Sequence, residues 1–448
     1  MDSHKNRFSS SYINISLYIM IAKCKLAKNL NNRKETILHI MQKFRLLLVM
    51  LCAFSLTVFS QENESQEDNS DIIRIVGKLT NKQNNEPIPF ANVGVIGSYI
   101  GAASNLDGIF EFKIPGKYSE KMIQASAVGF STFTAKVSEC TQVDTLEIVL
   151  TPKNYNIGEV EVMAESLVLQ KRIKTALERI PDNYLQTPFN YDVYYRSEKF
   201  ENKELNRLRE AAVRIYDDKG YQRADAYQVF KERGYRFLQV RKNFEPASLA
   251  DGSTFLDELL EMDIVRSRGN VLNGNHISFY DLKLDQITEY ENDSIWVISY
   301  KSKRPMLSNT GDYYAKSYSG KLYIKTKDYA VIKNETHVVA TNYSPQGRSF
   351  YVNENRQKWQ PLKIEYDFSV TYKQHSGRYY LSYVNYKRHH ELKEKETGIP
   401  KSIDINTEML ITKINTENPE IIEKRAYYEN MPFDKKFWDS YNIIFDGE

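Results

Sequence analysis

Three short stretches of the sequence carry side chains that could bind a metal or move protons. The first is residues 105–108, Asn-Leu-Asp-Gly, where two side-chain oxygens precede a glycine. A calcium loop of the EF-hand kind needs oxygen ligands at its positions 1, 3 and 5 and a bidentate carboxylate at position 12. With Asp107 and Gly108 aligned to positions 5 and 6, positions 1 and 12 fall on Ala103 and Ile114, which offer no ligand. Asparagine and aspartate before glycine are typical of a tight hairpin turn, so we predict a turn and no metal site.

The second stretch is residues 389–391, His-His-Glu, the one local cluster of possible metal ligands. On a β-strand, adjacent side chains point to opposite faces, so the two imidazoles should diverge. We therefore expect a solvated strand end. The chain after residue 60 has five histidines, and none starts the His-x-x-Glu or His-Glu-x-x-His pair of zinc peptidases. They are His276, His337, His375, His389 and His390.

The third group is acidic and falls within a predicted helix over residues 254–263. Carboxylates on an amphipathic helix usually form its solvated face, and we expect that here. The four residues are Asp257, Glu258, Glu261 and Asp263. The sequence contains no glycine-rich phosphate loop and no Gly-x-Ser-x-Gly elbow. It therefore predicts no catalytic residue, cofactor or metal; the alternative is a periplasmic hydrolase whose site assembles from distant positions in 163–448.

Tyrosine is unevenly distributed: four of the 32 lie before residue 151. Several of the later ones could form a platform for glycans or peptides, because tyrosine has an apolar ring and a polar tip. They are Tyr313, Tyr314, Tyr379, Tyr380, Tyr383 and Tyr386. The preference of half-buried strands for aromatic residues is the simpler explanation, and we expect Tyr383 in the core.

The N-terminus predicts export. Residues 41–60 have a basic start, a continuous apolar run and small or β-branched residues at the end, the pattern of a secretory signal peptide. The run from Leu46 to Phe59 is 14 residues, short for a membrane-spanning helix. Residues 1–40 are expected to be an upstream extension ahead of the true start at Met41; a genuine long leader is the alternative.

Cleavage of this leader changes the cysteine and charge balance. Cys24 and Cys52 would be lost and Cys140 would remain alone, so no internal disulfide or zinc cluster is expected. A lipid-anchor site requires a small residue directly before the cysteine, and Leu51 precedes Cys52, so no lipid anchor is expected. The remaining chain has 52 basic and 56 acidic side chains, a net charge of −4, which does not predict nucleic-acid binding. No apolar run after Gln61 approaches 18 residues, so no membrane span is expected.

Residues 61–71 are acidic and polar, and we interpret them as a disordered spacer. Short apolar or alternating runs then recur every 10 to 15 residues, each bounded by turn-forming residues. This spacing predicts an all-β sandwich. The runs are IIRIVGKL, FANVGVIG, GIFEFKIP, MIQASAVGF, STFTAKV and DTLEIVL.

Two motifs inside this region carry a resemblance to a known family. They are Pro-x-Pro-x-Ala-x-Val at 87–93 and Asn-x-Asp-Gly-x-Phe at 105–110. Residues 72–162 resemble the carboxypeptidase regulatory-like domain. The resemblance implies a transthyretin-like, seven-stranded β-sandwich of the kind found in envelope proteins of Gram-negative bacteria, and it implies no peptidase activity.

The second region, 163–448, predicts an α+β domain. Residues 164–180 place Leu169, Ile173, Ala176, Leu177 and Ile180 on one helical face, with Ser166 as N-cap and Pro181 at the end. A second helix is predicted at 203–215. From about residue 276 the period becomes two, most strictly in 361–372, which predicts long antiparallel strands in a large curved sheet. Hairpins are expected around 326–328 and 374–377.

Residues 176–200 and 319–333 are similar to a domain of unknown function that follows the regulatory-like domain in related outer-membrane proteins. The hairpins are also similar to the curved sheet of lipoprotein-sorting proteins, which hold acyl chains on an apolar face. The sequence thus predicts a non-catalytic exported protein that binds an outer-membrane protein or an apolar or glycan ligand. The expected location is the periplasm or the periplasmic face of the outer membrane, with surface exposure left open.

The leader can be tested directly. We expect the exported protein to begin at Gln61, because a signal peptidase would cleave after the small residue Ser60. Intact-mass and N-terminal peptide mass spectrometry on protein from the envelope fraction measure this. A mature chain that retains Met1 or Met41 would contradict the prediction.

Overall fold

A computed structural model shows a mainly β protein. It describes residues 72–155, 165–223, 233–243, 256, 259–312, 314–341, 358–423 and 431–445. The described residues all belong to one compact unit, Ser70–Glu448. The leader, the spacer and residues 156–164 lie outside the described residues. The predicted boundary between 72–162 and 163–448 therefore stays a prediction.

In the first part of the chain, the described residues form two small sheets that pack face to face. One has the strand order β4-β1-β7 and the other β3-β2-β5-β6. The strands are β1 Ile72–Asn81, β2 Asn92–Val95, β3 Gly101–Ala103, β4 Ile109–Pro115, β5 Met122–Ser126, β6 Phe133–Lys136 and β7 Leu146–Leu150. Each of the six predicted runs contains a strand. The short strand β3 was not predicted, because its three residues do not form an apolar run.

The sandwich core forms because inward side chains alternate along these strands. Ile75 and Leu79 from β1, Phe110 and Phe112 from β4 and Ile148 from β7 are buried in one cluster. A short helix, α1 (Val137–Cys140), places the buried thiol of Cys140 at its edge. Burial, followed by the Glu139 carboxylate, raises the pKa of this thiol, which keeps it in the unreactive protonated form.

The rest of the described chain forms one large sheet of eleven strands, antiparallel throughout. The strand order is β11-β10-β9-β18-β17-β16-β15-β14-β13-β12-β8. The strands are β8 Asn154–Tyr155, β9 Phe189–Glu201, β10 Glu204–Asp217, β11 Arg233–Asn243, β12 Tyr280–Tyr290, β13 Asp293–Ser302, β14 Ala315–Lys325, β15 Val331–Ala340, β16 Trp359–His375, β17 Arg378–Glu394 and β18 Pro400–Asn415. We call the side carrying Val193 and Val213 the helix face, and the side carrying Tyr194 and Ala212 the sandwich face.

The helix predicted at 203–215 is wrong: these residues lie in β10. The helical spacing arises because this strand carries small or apolar residues on both faces. Val213 and Ile215 point to the main core on the helix face, while Ala212 joins a second core on the sandwich face. Pairing with β9 and β11 on either side overrides the local pattern.

The strand prediction for 361–372 is confirmed by β16. Ile364, Tyr366, Phe368 and Val370 are buried on the helix face, as the alternation requires. A β-bulge between Thr371 and Tyr372 then shifts the register. The predicted turns at 326–328 and 374–377 connect β14 to β15 and β16 to β17.

Few helices occur in the described residues. Those after α1 are α2 Glu165–Glu178, α3 Ile180–Asn183, α4 Ile264–Ser267, α5 Leu307–Thr310 and α6 Lys435–Ser440, with 3-10 turns at Gly116–Tyr118, Asn270–Leu272 and Ile277–Phe279. α2 confirms the predicted helix, and Leu169, Ile173 and Ala176 are buried against the helix face. Ser166 lies inside α2 and is not its N-cap, and Pro181 stands in the first turn of α3. The predicted helix at 254–263 is helical at positions 256 and 259–261, whereas the described positions 262 and 263 are not helical.

The C-terminal segment, residues 431–445, joins the sandwich to the large sheet. Asn442 pairs with the backbone of edge strand β4: Lys113 N donates to Oδ1 over 2.8 Å, and Nδ2 donates to Lys113 O over 3.1 Å. Lys113 Nζ donates to Trp438 O over 2.8 Å. Trp438, Ile443 and Ile444 share a core with residues of both parts. The segment therefore closes the apolar gap between them.

We expect Trp438→Ala to lower the free energy of unfolding by about 3–5 kcal/mol, because it removes a buried aromatic side chain and leaves a cavity. Urea denaturation of the whole protein measures this. Phe433→Ala is the matched control, since Phe433 lies in the same segment and is 59% exposed. Equal effects of the two substitutions would show that the segment does not stabilise the junction.

Candidate functional site

A cleft of about 260 Å³ lies between the sandwich and the sandwich face of the large sheet. The sandwich contributes residues 86–90 and 126–130, two connections at one end of its strands. The sheet contributes residues from the start of β15, from β16 and from the end of β12. They are Tyr290, Ile332, Lys333, Ser369, Thr371 and Tyr372. Ligand sites are often found at such junctions between two packed parts.

The wall of the cleft at residues 86–90 is held rigid by the backbone. Pro87 and Pro89 restrict φ on both sides of Ile88, whose side chain is buried in the sandwich. Phe90 has φ +59°, an uncommon value for an aromatic residue. This conformation stacks its ring on Tyr383 of the sheet, with centroids 5.1 Å apart. Ile88 thus anchors this wall in the sandwich and Phe90 anchors it on the large sheet, so the wall is rigid without a ligand.

Polar bonds hold the opposite wall. Glu291 lies in the turn between β12 and β13 with φ +50°, and its carboxylate accepts hydrogen bonds from Gln124 Nε2 over 3.0 Å and Ser126 Oγ over 3.3 Å. Burial raises the pKa of Glu291 despite its hydrogen bonds and the nearby Lys325 and Lys373. Asn92 accepts from Ser382 Oγ over 3.1 Å. The sandwich is thus fastened on both sides of the cleft.

A buried ammonium group lies behind this wall. A Cβ on Gly101 would stand 2.8 Å from Lys373 Nζ, so the glycine leaves room for the lysine. Burial lowers the pKa of Lys373 to about 8, and the Glu291 carboxylate offsets this only in part. Beside it, the rings of Tyr99 and His375 are 3.7 Å apart, and burial lowers the pKa of His375.

The predicted divergence of the two adjacent histidines is confirmed. His389 is half-buried on the sandwich face, where Nδ1 lies 2.7 Å from Asp404 and Nε2 3.3 Å from Glu391. Burial would lower the pKa of His389, but these carboxylates raise it. His390 is buried on the helix face, where burial and then Arg388 lower its pKa to about 3, so the expected solvated strand end is wrong for this histidine. The pair does not converge on a common ligand.

The acidic group is only partly described, because Asp257 and Glu258 lie outside the described residues. Glu261 is half-buried, and Asp263 is buried, so the expected solvated face is wrong for Asp263. Its carboxylate caps α4 by accepting from Arg266 N over 3.0 Å. It also accepts from two tyrosine hydroxyls, of Tyr372 over 2.7 Å and of Tyr221 over 2.9 Å.

This capping aspartate belongs to a sealed ionic network on the helix face. Asp217 accepts from Arg266 Nε over 2.7 Å and from Arg233 Nε over 2.9 Å. Burial opposes ionisation of Asp217, but the two guanidinium groups lower its pKa. All three side chains are nearly inaccessible, so the network holds β10, β11 and α4 together and does not face solvent.

The tyrosine platform does not form in the described residues. Four of its proposed members are buried in the core, including Tyr383, whose core position is confirmed: Tyr379, Tyr380, Tyr383 and Tyr386. Tyr314 is half-buried, and Tyr313 lies outside the described residues. Strand propensity explains these residues.

The turn predicted at residues 105–108 is confirmed. Asn105 Oδ1 accepts from Asp107 N over 3.0 Å and from Ile109 N over 2.9 Å, and Gly108 has φ +74°. Asn105 Nδ2 also donates to Phe445 O over 2.9 Å, which fastens the turn to the C-terminal segment. Among the described residues, no group of three or more histidine, cysteine, aspartate or glutamate side chains has the arrangement of metal ligands.

One region of the chain matches a known domain family. Residues 75–162 match the model of the CarboxypepD_reg-like domain, in agreement with the resemblance in residues 72–162. Comparison with curated proteins gave no significant match.

One solved structure that matches comes from Bacteroides fragilis and is described as a "putative membrane-associated protein of unknown function". It is 8% identical, covers 77% of this chain and 98% of its own, and gives a TM-score of 0.14, too low to support any inference. Within the described part of this chain, no helix has the length and apolar character needed to span a bilayer.

We expect the buried Lys373 to give the stability a particular pH dependence. Its folded-state pKa of about 8 lies below the ordinary value of 10.5, so the unfolded chain binds more protons between these values. Stability should therefore rise with pH across this window. In Lys373→Met this contribution disappears, and the variant should be the more stable at pH 7.

Urea denaturation of both proteins at pH 7, 8, 9 and 10 measures the difference. Lys283→Met, at an exposed position of β12, is the control and should leave the pH profile unchanged. Parallel profiles for the natural protein and Lys373→Met would show that the ammonium is not desolvated.

Proposed function

We propose that this is a non-catalytic binding protein of the bacterial cell envelope, whose cleft between the sandwich and the large sheet holds a small uncharged ligand. The observation that carries the proposal is the lining of this cleft. Its walls are apolar at Pro87, Pro89, Val128 and Phe130, and neutral hydrogen-bonding groups are set among them. This combination is typical of small-molecule sites.

Charge complementarity favours an uncharged ligand. The described lining contains one carboxylate, Glu86, and one ammonium, Lys333. Lys333 Nζ is 2.6 Å from Glu335, so its charge is balanced, and Glu86 accepts from Asn84 Nδ2 over 2.5 Å at an exposed position. A charged ligand would find no unpaired opposite charge among these groups and would lose hydration on entry.

Size and chemistry favour one saccharide unit of an envelope glycan. A volume of about 260 Å³ is slightly below the range of pockets for drug-sized ligands. The hydroxyls of Ser369 and Thr371 and the amide of Asn92 suit ligand hydroxyl groups, and the ring of Phe130 suits a sugar's apolar face. A side chain of an outer-membrane protein is the other occupant that the sequence suggests.

The two competing functions fit this lining less well. Glycoside hydrolysis needs two carboxyl groups about 5–9.5 Å apart across the substrate, and Glu86 alone supplies one here. An acyl chain would need an apolar channel. On the helix face, the described core is filled by side chains such as Leu169, Tyr191 and Val384.

Location in the envelope rests on the predicted signal peptide and on the CarboxypepD_reg-like match. These supports are independent of the cleft. Export could therefore be established even if the cleft proved empty.

Native mass spectrometry on gently purified protein tests the proposal. We expect an added mass of one glycan or saccharide, released on denaturation. Ser369→Trp should abolish it, because the indole would fill the cleft. Ser319→Trp is the matched control, since Ser319 lies on β14 outside the cleft lining. Retention of the mass in Ser369→Trp, or its loss in both variants, would exclude the cleft as the site.

A further inference from the structure

The end of the large sheet that carries the turn between β9 and β10 has an unusual surface. We define the tip as residues 199–205, 358–363 and 391–401, which contain this turn, the start of β16 and the connection between β17 and β18. Three aliphatic side chains of the tip are strongly exposed: Leu205 at 44%, Leu362 at 57% and Ile399 at 56%. We propose that the tip inserts into the headgroup region of an anionic phospholipid layer. This inference does not depend on the cleft.

The strand register brings the parts of the tip together. Asn202, in the turn after β9, pairs with Ser402 through two hydrogen bonds of 2.9 Å. Ser402 pairs in turn with Glu391, and Glu391 with Lys363. On the outermost row, Trp359 lies opposite Glu394, whose backbone N–H donates to Ile399 O over 2.9 Å. The exposed apolar side chains therefore belong to one continuous end of the sheet.

Trp359 marks the depth at which a membrane surface would lie. Its ring is half-buried, with the ammonium of Lys401 at 5.2 Å and that of Lys358 at 5.4 Å from its centroid. Tryptophan is enriched at membrane–water interfaces because its ring is apolar and its N–H is polar. Lysines beside it can extend their stems along apolar surface and keep their charges among lipid headgroups.

Charge separates the tip from the rest of the protein. The tip contains seven lysines and five glutamates, a net charge of +2, whereas the whole chain after residue 60 carries −4. Part of this charge is paired within the tip, for example Lys358 with Glu394 at 3.0 Å. The surplus lysines favour a surface of anionic lipid, since each basic residue near such a surface adds to binding.

A lipid layer fits this surface better than a protein partner does. The exposed aliphatic groups lie on three separate segments of the tip and are interspersed with lysines, as expected for a structure that inserts into a headgroup layer. A stable protein interface would need a contiguous complementary surface of roughly 800 Å² on each partner. The alternating lysine and apolar side chains of the tip do not form such a surface.

Vesicle binding by the purified, processed protein tests this inference. The probes are vesicles of phosphatidylcholine alone and of phosphatidylcholine with phosphatidylglycerol at 3:1. We expect sedimentation with the anionic vesicles, weakened by added salt. The emission of Trp359 should shift to the blue, and this shift should be absent in Trp359→Phe.

The double variant Leu362→Glu/Ile399→Glu should bind at least about tenfold more weakly, because it places carboxylates in the inserted surface. The matched control is Leu106→Glu/Val149→Glu on the sandwich, where the two side chains are 52% and 54% exposed. Both variants alter exposed positions and should remain folded, as circular dichroism will check. Equal binding by the two double variants, equal binding to both kinds of vesicle, or no binding by the natural protein would overturn the proposal.

Discussion

The structure depends on the attachment of the sandwich to one face of the large sheet through the C-terminal segment. The side-chain amide of Asn442 replaces a neighbouring strand for the edge of β4, and Trp438 fills the apolar gap beside it. Without this segment the edge of β4 would present unpaired polar groups. The cleft exists only because the two parts are held in this arrangement, so the proposed binding and the stability of the protein would rest on the same contacts.

The attachment carries costs that point to a purpose beyond stability. Phe90 adopts a strained backbone conformation, and Glu291 and Lys373 are charged groups withdrawn from water. A junction selected for stability alone would replace such buried ionisable groups by packed apolar residues. Strained and buried polar groups tend to collect where a protein needs a fixed geometry for a ligand; of these three, Phe90 lines the cleft and Glu291 directly follows Tyr290, which also lines it.

The sequence predicted local features well and distant contacts poorly. Strict alternation in 361–372 and the turn chemistry of Asn105 are local signals, and the structure confirms both. The pattern in 203–215 failed because β10 carries small or apolar residues on both faces, which obscures the period of two. Asp263 looked like a solvated residue because its tyrosine partners lie 42 and 109 residues away. The cleft gave no sequence signal, since its walls come from several separate segments.

The strand order of the large sheet also constrains how the chain reaches its folded state. β9 pairs with β18, so Glu201 finds its neighbour Ile403 about 200 residues later in the chain. The edge of β9 that pairs with β18 therefore stays open until residues 400–415 have been synthesised. Until then, the unpaired backbone groups of this edge can form hydrogen bonds with other chains. The same long-range pairing that completes the sheet therefore defines the stage of synthesis at which the chain is most exposed to mispairing, and that stage ends with the docking of β18.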